Sequence, residues 1–525
     1  MQIVMKNAIL RTLLLNADNG SDIEVQYQLL IGMINLIKQN VEIDSDEFEL
    51  LVEDGLSGKL VSVRKAKRLL EQTGAFCFSD NRWVFNKELM LYGEPINWEH
   101  FTTLFIREDV TNGTATAGND PVREAILRGI SWSISMTLLA VEAGDIEGQP
   151  AFYVCEEDGD RPIGYNVAGT ATSDSLMLLC QASDYLFDCG KSTKEISDCI
   201  AFLVEKTLRC QCVTPDWDKG GFFPLEDQPD STHPTVDATC LAIMALCSFY
   251  ESRKVIEDRL SVPLKADNEE VEWAVLYGLS FLFRMQNPDG SFGIYNYEDG
   301  RYFTPNENCT RMALSTMGVC KESGIFDKVG CEHLYPTCNK VISATYTYLC
   351  EHTAEVEDYH IWAPYFGEQA RDYEPADVVV STARVCRAMI PVWWQMEEER
   401  GNVLSYCYGL LRYWQENEDA IASRVGRYRF TTPTDSGFST GEYFWASHPD
   451  MLAAFTVLQT YNLFGLALTK DQWTIINRAI QHTLSLQHEH GHWDNPLAKK
   501  TPFCAVTLAA LELLQEYQNA KGLKV

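Results

Sequence analysis

Two short stretches far apart in the chain carry one pattern. Gln286 to Phe292 reads QNPDGSF, and Gln487 to Trp493 reads QHEHGHW. Each has glutamine, then glycine four residues on, then an aromatic two beyond. Each follows a segment with helical apolar recurrence and, after a polar loop, leads into another. A motif that recurs in one helical setting is the punctuation of a repeat, and a repeat constrains the fold more than any single site does. Gln286, Gly290, Phe292, Gln487, Gly491 and Trp493 are therefore read as structural joints.

Prolines mark the same units. Pro234, Pro305, Pro375, Pro449 and Pro502 lie 71, 70, 74 and 53 residues apart, each just before a segment rich in Ala, Cys, Leu and Met. Proline fixes φ and is tolerated where a helix starts but not inside it. The segments that follow are VDATCLAIMALCSFY, NCTRMALSTMGVC, VVVSTARVCRAMI, DMLAAFTVLQTYNLF and FCAVTLAALELLQ, with a sixth copy at TATSDSLMLLCQASDYL, where Gly169 replaces proline. Gly-aromatic loops precede them at Gly164-Tyr165, Gly221-Phe222, Gly290 to Phe292, Gly437-Phe438 and Gly491 to Trp493, with Tyr365-Phe366-Gly367 in the fourth place. Between the units run amphipathic segments near 121–142, 192–210, 269–286, 334–352, 401–416 and 470–487, with apolar residues at i, i+3 and i+4.

Six helix pairs predict about twelve helices and no long strand between 121 and 525. The even count and the absence of polar capping repeats favour a closed (α/α)6 toroid over an open solenoid. The helices after the prolines, richer in small residues, form the inner ring. The domains read as 1–115, a small α+β head with its connector, and 116–525, the toroid.

The Q-x-x-x-G-x-(W/F) pattern resembles the QW motif of terpenoid cyclases such as squalene–hopene cyclase, over about residues 120–525. Protein prenyltransferase β-subunits and complement thioester domains share that toroid. The resemblance implies the fold, and each activity it implies can be tested on residues. Class II cyclases carry DxDDTA, whose middle Asp protonates the substrate. Here TVDATC keeps Asp237 and Thr239 without flanking acids, and VVVSTA keeps only Thr382-Ala383. Flanking carboxylates tune such an acid, so Asp237 reads first as a helix cap, beside Asp174, Asp377 and Asp450, and only second as a proton donor. The prenyltransferase D-x-C zinc pair and the lanthionine-cyclase Cys-His-Gly element do not occur, and Phe366 stands at the cysteine place of a thioester motif. His488, His490 and His492 could offer three imidazoles to a metal from an extended loop, but they interleave with the joint residues that already explain the loop. No cofactor is expected.

With 74 acids against 43 bases the net charge is −31, which opposes general binding to phosphate backbones. The 17 cysteines show no paired ligand spacing and sit in apolar helical contexts, as buried thiols in a reducing cytoplasm would. No apolar run is long enough to span a membrane.

Residues 1–115 follow another grammar. DIEVQYQLLIGMINLIKQ, IDSDEFELLVEDG and SVRKAKRLLEQTG read as three helices. AFCFSDNRWVFN reads as a hairpin turning at Asp80-Asn81. The order resembles a winged helix-turn-helix. That resemblance implies nucleic-acid contacts by Arg64, Lys65, Lys67 and Arg68 on the third helix and Arg82 on the wing. The acidic balance of 40–90 favours a protein-facing role over DNA.

Taken together, these features predict a cytoplasmic, non-catalytic scaffold or regulatory protein, as in bacterial multi-protein or defence systems. Its toroid would hold a protein partner, a peptide or a small ligand. The alternatives are a divergent class II cyclase acting on an isoprenoid through Asp237, and a DNA-bound regulator whose toroid senses a ligand.

Overall fold

The computed structural model describes residues 13–14, 20–37, 43–53, 61–91, 94–103, 120–143, 154–155, 162–163, 168–214, 219–223, 234–260, 263–264, 267–293, 305–328, 330–356, 358–395, 397–422, 424–434, 437–464, 466–496, 498–502 and 504–522. Two compact units result. One comprises Met1–Asp109, Lys321–Tyr335 and Leu463–Gly465, and the other Val110–Cys320, Pro336–Asn462 and Leu466–Val525.

In the first unit, α1 (Gly20–Ile37), β1 (Ile43–Asp44), α2 (Ser45–Glu53) and α3 (Val63–Gln72) precede a hairpin of β2 (Phe76–Ser79) and β3 (Arg82–Phe85). Helix α3 starts where the Ser62 hydroxyl accepts the Lys65 amide at 3.3 Å, and it buries Ala66, Leu69 and Leu70 on one face. The hairpin turns on two residues, Asp80 and Asn81, at φ 51° and 65°. Asp and Asn tolerate that left-handed region, and the double positive φ matches the twist of the flanking strands. The three strands pair antiparallel in the order β1-β3-β2 around buried Phe48, Phe76 and Trp83.

Among the described residues the second unit holds twelve long paired helices, as expected. The outer members are α4 (Pro121–Ala143), α6 (Thr193–Arg209), α8 (Asn268–Met285), α10 (Tyr335–Glu351), α12 (Glu397–Glu416) and α14 (Lys470–Ser485). The inner members are α5 (Ala168–Gln181), α7 (Val236–Leu260), α9 (Glu307–Glu322), α11 (Pro375–Met389), α13 (Pro449–Leu463) and α15 (Cys504–Gly522). Helix α15 packs on both α4 and α5, so the last pair meets the first and the ring is closed.

The joints explain how. The amide nitrogen of each joint glutamine donates both to its own loop and to the next outer helix. Gln211 reaches Gly220 and Ala274, Gln286 reaches Gly290 and Val341, and Gln487 reaches Gly491 and Ala125. Gly220, Gly290 and Gly491 hold φ of 90°, 92° and 102°. A Cβ there would lie 2.3, 2.3 and 2.4 Å from the carbonyl oxygens of Tyr277, Ala344 and Arg128, so only glycine fits. The last joint docks on α4, the first outer helix.

Each joint aromatic is tied to the inner helix that follows it. The amides of Phe222, Phe292, Trp362 and Trp493 donate to the hydroxyls of Thr239, Thr310, Thr382 and Thr507 at 2.9, 3.0, 3.0 and 3.1 Å. Two expectations change. The glycine of the second unit is Gly220, not Gly221, because nine residues rather than four separate it from Gln211. In the fourth unit Trp362, not Tyr365-Phe366-Gly367, takes the aromatic place. There the close approach is reversed. The glycine is Gly409 on α12, whose Cβ would lie 2.7 Å from the His360 carbonyl.

The expected absence of long strands is also overturned. Gly426–Thr434 and Gly437–Ser447 (β4 and β5) form an antiparallel hairpin in which Phe438 opposes Pro433. Tyr428, Phe430, Phe438, Tyr443 and Trp445 make these runs rich in strand formers, a signal that outweighs the repeat reading of Gly437-Phe438 as a joint. Gly164-Tyr165 lies outside the described residues.

Candidate functional site

Two neighbouring inner helices and the loop after Trp362 border a small cleft, lined among others by Glu307, Asn308, Arg311, Phe366, Ser381 and Arg384. Local chemistry fixes its walls. Asn306 caps α9, its side-chain oxygen accepting the Cys309 amide at 3.0 Å, so Glu307 and Asn308 occupy the first turn and Arg311 the next. The loop after Trp362 brings Phe366 over α9, and its amide donates to Glu307 Oε1 at 3.3 Å. On α11, Ser381 is held by donating to the Ala363 carbonyl at 2.9 Å, while Arg384 Nη2 donates to Ser447 Oγ at 2.9 Å. Arg311 donates to Asn308 Oδ1.

Glu307 is the group this geometry perturbs. Burial pushes its carboxyl up to about 7, against the two backbone amides that favour the anion, and Glu368 adds to the rise. At neutral pH such a group can both give and accept a proton.

A second set of charges adjoins the cleft through Arg384. Asp174 on α5 is raised to about 7 by burial and by Glu512, with Arg387 and Arg384 opposing. Glu512 on α15 accepts from Arg387 Nη2 at 2.5 Å, and burial raises its pKa as well. Beside Ser447, His482 Nδ1 lies 2.5 Å from Asp450 Oδ2, a bond that raises the His482 pKa. His448, its ring set edge-on to that of His482, is lowered by burial.

The residues singled out in the sequence fall elsewhere or play other parts. Asp237 does not cap its helix. Thr235 does, its hydroxyl accepting the Ala238 amide at 3.3 Å, while Asp237 Oδ1 is buried with no hydrogen-bond partner. Asp174 is not at a helix start but within α5. His492 stacks on His488 with ring centroids 4.5 Å apart, and the His490 ring lies 4.9 Å from that of His488 at a 42° tilt. Among the described residues no group of three such side chains is placed to hold a metal. Lys65 pairs with buried Asp22 at 2.5 Å, and Lys67 donates to Ser45 and lies over Phe78, while Arg64, Arg68 and Arg82 are exposed.

Reading the sequence passed over Glu307, Arg311, Arg384, Arg387 and Glu512. The signal was present. Inner helices are otherwise built of small and apolar residues, so charged side chains within NCTRMAL and STARVCRAM must face something polar inside the ring.

No protein-family model and no curated protein sequence matches the chain. Solved structures do resemble it. A D-mannose isomerase aligns at 12% identity over 77% of this chain and all of its own, with a TM-score of 0.48. A cellobiose 2-epimerase from Bacillus thermoamylovorans aligns at 11% over 72% of this chain and 95% of its own, at 0.46. A GH76 α-mannanase of Bacteroides thetaiotaomicron aligns at 12% over 75% and 96%, at 0.44. They are α/α-toroid proteins, and the likeness is one of fold. They are also enzymes of sugars, which corrects the expectation of a non-catalytic scaffold and, with it, the terpenoid-cyclase, regulatory and defence settings read from the sequence.

Proposed function

We propose that the second unit is an enzyme acting on a carbohydrate in the cleft at the inner-helix starts, with Glu307 as the group that transfers a proton. The observation that carries this is Glu307 itself, a half-buried carboxyl lining a cleft, pushed up to about 7 by desolvation and set beside guanidinium, amide and hydroxyl groups. Burial alone keeps a carboxyl neutral, but here the same carboxyl also lines a cleft beside polar side chains. Asn308, Ser381 and the two arginines offer the hydrogen bonds that a polyol needs, and the Phe366 ring offers an apolar edge for a pyranose face. Asp174, on the far side of Arg384, provides a second carboxyl near neutrality.

The test is turnover. Purified protein is incubated with a panel of free aldoses, disaccharides and α-linked oligosaccharides, and products are followed by NMR. Glu307→Gln is expected to lower kcat by roughly a hundredfold or more, the usual contribution of a positioned acid or base. If Glu307 acts as the acid, activity falls as pH rises above about 7. Absence of turnover across the panel, or full activity in Glu307→Gln, sinks the reading.

The first unit we take as a winged-helix module, on its helix order and its two-residue hairpin turn. The described cysteines are mostly buried thiols, which suits a reducing compartment such as the cytoplasm. No described helix is long and apolar enough to cross a membrane.

A further inference from the structure

We infer that the outer surface of α8 carries a second carbohydrate site, an aromatic platform of Trp273 and Tyr277 that holds a neutral glycan chain. The choice of a sugar as its ligand rests on the reading above. The place does not, because the cleft is bordered by α9, α11 and the loop after Trp362. The repeat shows that the two rings are not needed for packing. Each joint glutamine bonds one carbonyl of the next outer helix, and each joint glycine abuts another. These are Ala274 and Tyr277 on α8, Val341 and Ala344 on α10, and Ala125 and Arg128 on α4. That shared register makes Trp273 the counterpart of Lys340 and Glu124, and Tyr277 the counterpart of Ala344 and Arg128. Ala344 is half-buried and the other five are exposed. Where α10 and α4 present charged or small side chains to water, α8 presents a tryptophan 44% exposed and a tyrosine 43% exposed. Adjacent apolar rings left in water serve contact with something outside the chain.

The surroundings select the occupant. The rings have centroids 5.8 Å apart and planes inclined by 30°. Lys219, next to the joint glycine Gly220, sets its Nζ 5.2 Å from the Tyr277 centroid, a cation–π contact that steadies the ring and brings ammonium donors to its edge. Glu269 and Glu270, both exposed and one turn before Trp273, add acceptors on the same side of the helix. A pyranose has an apolar C–H face that stacks on aromatic rings and a rim of hydroxyls that both donate and accept. Rings, ammonium and carboxylates match it. A polyanion would meet the two glutamates and a net charge of −31. A polycation would have to displace Lys219 from the ring it covers. Two half-exposed rings also fall far short of the roughly 800 Å² per partner of a stable protein interface.

Affinity electrophoresis of the full chain tests this, in native gels containing α-mannan, β-mannan, hydroxyethyl cellulose, starch or polygalacturonate. At least one neutral polymer is expected to retard the protein, and the anionic polygalacturonate is not. Trp273→Ala and Tyr277→Ala should each weaken that retention by roughly tenfold, and Lys219→Gln by less. The double variant Trp273→Lys with Tyr277→Ala copies the side chains that α10 carries at the same places, Lys340 and Ala344. It should keep the wild-type melting temperature and lose retention altogether.

Retention intact in the double variant, retention by polygalacturonate instead of a neutral polymer, or no retention in any gel overturns the inference. So does sedimentation as a dimer that the double variant converts to a monomer, which would make this face a contact between copies. Glu307→Gln separates the two sites. It should be retained like wild type, and its release would assign the polymer to the cleft instead. Turnover of a sugar without retention by any polymer refutes the platform alone. Retention that depends on Trp273, in a protein that turns over no sugar, refutes the enzymatic reading and upholds the platform.

Discussion

At Glu307 the physical conflict between site and fold is open to measurement. Its carboxyl is held near 7 where an unfolded chain would place it near 4.5. A carboxyl raised on folding keeps its proton in the native state through a window in which the unfolded state has lost it. Stability therefore falls as pH rises from about 4.5 to 7 and is level beyond. Glu307→Gln is expected to gain on the order of 1–2 kcal/mol at pH 7.5, a gain that shrinks toward pH 4.5, measured by urea denaturation at both values. A variant less stable than wild type at pH 7.5 would show that the carboxylate is favoured where it sits. Glu307 follows a proline and opens an inner helix, and both facts are legible in the sequence. Its burial is not, because that depends on Phe366 arriving from the next unit, 59 residues away.

Among elements, the joints decide. Thr310→Val would leave the Phe292 amide, buried under α9, without its acceptor and should cost about 1–3 kcal/mol in chemical denaturation. Gly290→Ala adds a positive-φ penalty to a 2.3 Å collision with backbone, which cannot swing aside as a side chain can. It should destabilise by roughly 2 kcal/mol or more, and a neutral outcome would mean that α10 can withdraw from the loop. These joints were legible wherever the spacing was kept, as at Gln286 and Gln487. They were missed where the spacing stretched, at Gln211 to Gly220, and where the glycine moved to the partner helix, at Gly409. Backbone packing requires one residue without a Cβ at each contact, and it is indifferent to which side supplies it. The threonines that anchor the aromatics lie fourteen to twenty residues downstream, a constraint set by loop geometry and invisible to a short motif.

Across the whole ring, the seam between the last joint and the first outer helix is the element with most at stake. Gly491→Ala sets a Cβ 2.4 Å from the Arg128 carbonyl. In a closed ring the damage should appear as faster amide hydrogen exchange in both α4 and α15, whereas exchange confined to α15 would mean that the ends are independent. The seam is also acid-sensitive. His492, buried within this loop and lying against Trp132 of α4, has its pKa lowered to about 4 by burial and by His488. A histidine depressed on folding adds no penalty above about pH 6.5 and lowers stability progressively as pH falls toward 4. His492→Phe should flatten that acid loss in melting temperature, and an unchanged acid profile would assign it to other groups.

The sequence by itself determined the twelve helices, their inner and outer sorting, the hairpin at Asp80-Asn81 and the glycines at two joints. These follow from periodicity, proline and chirality, which act within a few residues. Tertiary structure alone decided that Trp362 rather than Phe366 anchors the fourth unit, and that Glu307, Arg311 and Arg384 share one cleft. The reason is physical. Those placements depend on the direction in which helices far apart in the chain approach one another, and a carboxyl's proton affinity depends on what that approach removes from water.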